Sequence, residues 1–144
     1  MKIKTAELTG KALAYAVHMA SGGSYWTRSN AKWDTNEGYT DWVLDKSGLN
    51  RYVFDGSRSR AGHWEVLETW APDTDWSQGG PIIERERVDL LHCHPGSVYH
   101  NSGVNGIASM RSLFADGPTV LIAAMRCYVA SKLGDEVEVP EELL

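Results

Sequence analysis

The sequence predicts an α+β fold, a single small domain over residues 1–144 with a mostly antiparallel sheet between an N-terminal and a C-terminal helix. Three observations lead there. Helical periodicity is confined to the two ends of the chain, residues 9–20 and 118–133. The segments between them carry period-two alternation and turn signals instead. With 144 residues, 42% hydrophobic and 23% charged, the chain is of ordinary composition and long enough for one core.

Each element follows from its own residues. Thr9 is placed to cap the first helix, with Leu8 outside and Leu13 inside as a hydrophobic staple. Leu13, Ala16, Val17 and Ala20 repeat at helical spacing, and Ser21-Gly22-Gly23 supplies the stop. Tyr52-Val53-Phe54 reads as a strand ending at the Asp55-Gly56 turn, and His63 to Trp70 and Val88 to His92 read as two more. Residues 57–62 and 95–106 read as loops. Gly80-Pro81 predicts a short helix over 81–86 with proline in its first position, an extended Pro81-Ile82-Ile83 being the alternative. Gly117-Pro118 predicts the same device at the C-terminal helix, where Leu121, Ala124, Met125, Tyr128 and Val129 form one apolar face. Lys132 and Gly134 end it. Beyond, Val137 and Val139 alternate with glutamates, as in a short strand or an extended strap.

All six tryptophans (Trp26, Trp33, Trp42, Trp64, Trp70, Trp76) fall within residues 26–76, a stretch also rich in Ser, Gly, Asp and Asn. Indole is apolar at one end and offers an N–H at the other, so tryptophans in polar company suggest walls for a flat ligand or a docking surface. A net charge of −5 argues against a protein that coats nucleic acid polymers, whose affinity comes from Lys and Arg on phosphates. It leaves room for one nucleotide. No apolar run is long enough for a membrane span, and the opening residues lack the apolar segment of a signal peptide. Cys93 and Cys127 fit reduced thiols of a cytoplasmic protein.

Thr74-Asp75-Trp76-Ser77-Gln78-Gly79-Gly80-Pro81-Ile82-Ile83-Glu84-Arg85-Glu86 resembles the central signature of the NinX-like proteins of lambdoid bacteriophages. The opening, Met1 to Gly10, and the block Leu121 to Val137 are similar to that family's two ends. The resemblance implies a phage accessory protein made in the host cell cytoplasm and usually encoded near recombination genes. It brings no catalytic residues to carry over. A fainter similarity is to small phage proteins that sequester nucleotide immune signals, which implies a counter-defence role.

The central segment has binding chemistry of its own. Trp76 offers a stacking face worth about 1–3 kcal/mol per base. Gln78 carries a donor and an acceptor suited to a base edge or ribose hydroxyl. Gly79-Gly80 allows close backbone approach, a helix opening at Pro81 would aim free N–H groups at an anion, and Arg85 adds a phosphate grip. Trp70, Asp75 and Ser77 complete this candidate ligand-binding set. The competing reading makes Trp76 core, Gly79-Gly80 a turn, and Glu84, Arg85 and Glu86 a solvated helix face.

Other constellations carry less. His92 and His94 would share one strand face, with His100 or His63 to complete a metal set, yet no metal-binding spacing supports them. Arg58 and Arg60 form a basic loop. Asp73/Asp75 and Glu84/Glu86 are carboxylate pairs of a kind common in acidic proteins, and neither cysteine sits in a nucleophile's setting. The expectation is a binding protein for a nucleotide-like small molecule, acting by sequestration, without cofactor, metal or catalysis. The alternative is a protein-interaction module that inhibits or redirects a host factor or assists recombination. The apolar face of the C-terminal helix, at Met125, Tyr128 and Val129, suggests a homodimer.

Overall fold

The computed structural model describes residues 1–56, 63–96 and 103–144. Arg58, Arg60, His100 and the middle of the expected 95–106 loop lie outside them. In chain order the elements are β1 (Lys2–Lys4), α1 (Gly10–Ala20), β2 (Trp26–Thr27), β3 (Val43–Asp45), β4 (Gly48–Asp55), β5 (His63–Thr69), α2 (Trp76–Glu86), β6 (Asp89–His92), β7 (Gly106–Met110), β8 (Leu113–Gly117), α3 (Val120–Leu133) and β9 (Glu136–Glu138). This is the α+β domain expected, with helices near both ends.

The strands form three small sheets rather than one: β1-β9, β2-β3-β4-β5 and β6-β7-β8. Every pairing is antiparallel except β2 with β3. Val137 does lie on a strand, and its partner is Ile3 of β1, an element the sequence did not announce. Thr5 extends that seam, its N–H donating to the Asp135 carbonyl and its hydroxyl to that of Gly134.

The core is built around α3. Val120, Leu121 and all residues from Ala123 to Val129 are buried, so the helix is covered on every side rather than on one face. The covers are α1, α2, β7 and β8. Met125, Tyr128 and Val129 are 0%, 2% and 0% exposed, so they offer no face to a second copy. Arg126 is buried among them, donating from Nε to the Leu8 carbonyl and from Nη1 to that of Asp116, each at 2.9 Å.

Both proline expectations are corrected. α2 opens at Trp76, and Pro81 is its sixth residue. α3 opens at Val120 with Thr119 as its cap, leaving Pro118 outside. In each case a capping side chain fixes the start: Asp75 Oδ1 accepts from Ser77 N at 2.9 Å, and Thr119 Oγ1 from Ile122 N at 3.1 Å. At α1, Thr9 is the cap residue by position, though its side chain makes no capping bond.

Candidate functional site

The tryptophans divide by role. Trp42 and Trp70 pack edge-on with each other and with His18, ring centroids 5.8 to 6.1 Å apart, and Trp70 Nε1 donates to the Ala14 carbonyl at 3.0 Å. Trp33 and Trp64 form a second cluster with Tyr52 and Phe54, over which the Arg28 guanidinium lies 5.2 Å from Trp33. The first cluster ties α1 to the ends of the β2–β5 sheet, and the second seats Trp33 on β4 and β5. Trp26 and Trp76 remain well exposed, Trp76 at 52%.

The segment singled out in the sequence is mostly engaged internally. Asp75 caps α2, accepting from both N and Oγ of Ser77. Gln78 accepts from Ala71 N at 2.6 Å and donates to the Thr69 carbonyl at 2.9 Å, so its amide pins the end of β5 to α2 instead of facing a ligand. Gly79 lies so close to Pro72 that an added Cβ would sit 2.2 Å from the Pro72 carbonyl oxygen, whereas Gly80 faces open space. Arg85 points along the far end of the helix toward Glu86 and the Tyr128 hydroxyl. Of the eight predicted residues, Trp76 is the one that lines the cleft described next.

That cleft, of about 480 Å³, lies between the first turns of α2 and α3. Its walls are Trp76, Asp73, Thr74, His92, Asn105 and the opening of α3. β7 sets that opening: a Cβ on Gly106 would fall 2.5 Å from the backbone of Val120, so only glycine lets the strand and helix meet. Thr119 satisfies the N–H of Ile122, and Ala123 N bonds to the Thr119 carbonyl. The N–H groups of Val120 and Leu121 have no intrahelical partner, as at any helix start, and they carry the positive end of a fourteen-residue helix.

Asp73 is the unusual residue. It is 4% exposed, yet among the described residues its carboxylate has no hydrogen-bond partner beyond its own backbone N–H. It also lines a smaller cleft of about 200 Å³ on the α1 side, together with Gly10, Lys11 and Trp70. Burial holds its carboxyl above the usual aspartate range. A carboxyl raised in the folded state contributes stability that is intact below its unfolded pKa and lost as pH rises through the folded one. Asp73→Asn, which keeps the shape and removes the charge, is therefore expected to raise the thermal midpoint at about pH 7 and to leave it unchanged near pH 3. Melting curves at the two pH values check this; a midpoint that drops at neutral pH contradicts it.

A larger depression of about 580 Å³ borders Arg28, Asp45 and Lys46, but its carboxylate is satisfied. Asp45 accepts from Ser47, Tyr52 and Arg28. β6 ends at His92, so His94 does not share its strand face, and His63 lies 3.7 Å from Glu65. Among the described residues no three His, Cys, Asp or Glu side chains converge as metal ligands.

The family model described as Bacteriophage P22, NinX matches residues 4–132. The chain belongs to this phage NinX family. No curated protein matches it. The matched span contains both cleft-forming helix starts, while β9 lies beyond it. In this family member, Asp73, Asn105 and the α3 opening lie outside the ligand-binding set read from the sequence, and His92 was read there only as a candidate metal ligand. Asp73 was visible there only as half of a common carboxylate pair. Among the described residues, no helix is long and apolar enough to cross a membrane.

Proposed function

We propose that this phage NinX protein binds a small nucleotide-like ligand in the cleft between α2 and α3. It holds the ligand rather than turning it over. The observation that carries this reading is a half-exposed Trp76 sharing one cleft with the open first turn of α3 and the carboxylate of Asp73. A ring stacks on Trp76, an anionic group meets the Val120 and Leu121 N–H groups, and polar edges meet Asp73, Thr74 and Asn105. These are groups of recognition. Capture of a nucleotide signal inside the infected cell would act in counter-defence.

The test is native mass spectrometry of the protein as purified and after adding nucleotides, with analysis of what is released. The expected result is a nucleotide adduct returned chemically unchanged. Trp76→Ala is expected to weaken binding about 10- to 100-fold, the loss of one stacked base, with an unchanged circular dichroism spectrum. Wild-type affinity in that variant removes the cleft from the function.

One observation favours a second reading. On the outward side of the β6-β7-β8 sheet, Leu91 and Phe114 are 61% and 76% exposed and flank Ile107. Such a face suits docking of a host protein or a second copy of this chain. Light scattering distinguishes the two.

A further inference from the structure

Deepening the nucleotide reading, on which it rests, we propose that the cleft selects guanine, with Asp73 accepting the paired N–H donors of the base while the ring stacks on Trp76. A carboxylate needs donors from the folded chain or from water, and losing both is expensive. No buried side-chain oxygen among the described residues lacks a partner, so Asp73, with no donor from another residue, keeps its carboxylate in touch with cleft water. Asp75 is held by Ser77, Asp45 by Ser47, Tyr52 and Arg28, and Glu138 by the Met1 amino group. Asp73 is more buried than any of these, and it lines the cleft with only its own N–H for company. A base that displaces this water has to bring donors in its place.

The chemistry of the bases decides which ligand. A carboxylate presents two acceptor oxygens side by side and matches a partner with two adjacent donors. Guanine has that pair in its ring N1–H and its 2-amino group. Adenine and cytosine each set an amine beside an acceptor ring nitrogen, and uracil flanks its one N–H with carbonyls. Each of these would turn a lone pair toward a carboxylate oxygen. A site whose buried polar group is left unpaired by the wrong ligand discriminates far more strongly than an apolar pocket does. The net charge of −5 disfavours anions in general, so the phosphate depends on the positive end of α3 while Asp73 reads the base.

Titration calorimetry with 5′-GMP, 5′-IMP, 5′-AMP and 5′-XMP tests this on the whole protein. The wild type is expected to bind GMP at least about tenfold tighter than AMP, with IMP between them because it keeps one donor of the two. Asp73→Asn turns one acceptor into a donor. It is expected to lose at least about tenfold for GMP and to gain for XMP, which carries a carbonyl in place of the 2-amino group. Melting curves establish that the variant is folded. Equal affinity for GMP and AMP, or unchanged GMP affinity in Asp73→Asn, overturns the guanine assignment. If Trp76→Ala still abolishes that indiscriminate binding, the nucleotide cleft stands without it. If no nucleotide binds the wild type, both readings fall together.

Discussion

Gly79→Ala is expected to cost about 2–3 kcal/mol of stability, while the same substitution one residue on, Gly80→Ala, is expected to add about 0.5–1 kcal/mol. The contrast comes from what each new methyl meets. At Gly79 it would sit 2.2 Å from the Pro72 carbonyl oxygen and 2.8 Å from Leu121 Cδ1. The first of these is backbone and cannot turn aside. α2 would have to back away from the 71–73 segment, loosening the contact that buries Ile82 and positions Asp73. At Gly80 nothing lies within 4 Å, so the change only removes conformational freedom from the unfolded chain. Urea unfolding of the two variants measures both signs. Equal effects would mean that α2 does not pack on Pro72 as closely as described.

Arg126→Met is expected to destabilise by about 3 kcal/mol. The methionine fills the space of the stem but offers no donors, leaving the Leu8 and Asp116 carbonyls short of the bonds that Nε and Nη1 now supply at 2.9 Å. Burial pulls the guanidinium below its usual pKa, with Asp116 nearby opposing the shift, yet arginine keeps its charge. Arg126→Lys is expected to recover part of the loss, because one ammonium cannot span two carbonyls set for a planar fork. If Lys matches the wild type, the fork geometry contributes nothing beyond the charge.

How much could be read from the residues varied with the physics involved. α1 and α3 were legible because apolar spacing and glycine stops agreed, although the start of α3 was read at Pro118 rather than at the Thr119 cap. β4 and β5 showed through alternation and the Asp55-Gly56 signal. The β7–β8 hairpin did not show, since its turn is Arg111-Ser112 with Arg111 at φ 57°, instead of the Asn-Gly or Asp-Gly that announces such turns. α2 was read five residues short. Gly79, Gly80 and Pro81 are poor helix formers, and only the Asp75 cap and the packing of Gly79 and Ile82 keep them helical. The site followed the same rule. Trp76, read as a stacking face, does stand exposed on the cleft, whereas Gln78 looked free only because its partners, Ala71 and Thr69, are set by the fold. A carboxylate left unpaired, as at Asp73, has no signature in composition at all.

The closing seam has a mechanical meaning. β1 and β9 run antiparallel, with Lys2 opposite Glu138 and Lys4 opposite Glu136, and Thr5 bonds on at the inner end. The chain therefore leaves the pair at one and the same edge from both strands. Traction applied outward along both strands bears on one rung at a time, as in opening a zipper, and never on the whole ladder in shear. A pull on both strands thus opens this seam rung by rung, while the buried Val139 and Leu143 hold the residues that follow onto the core.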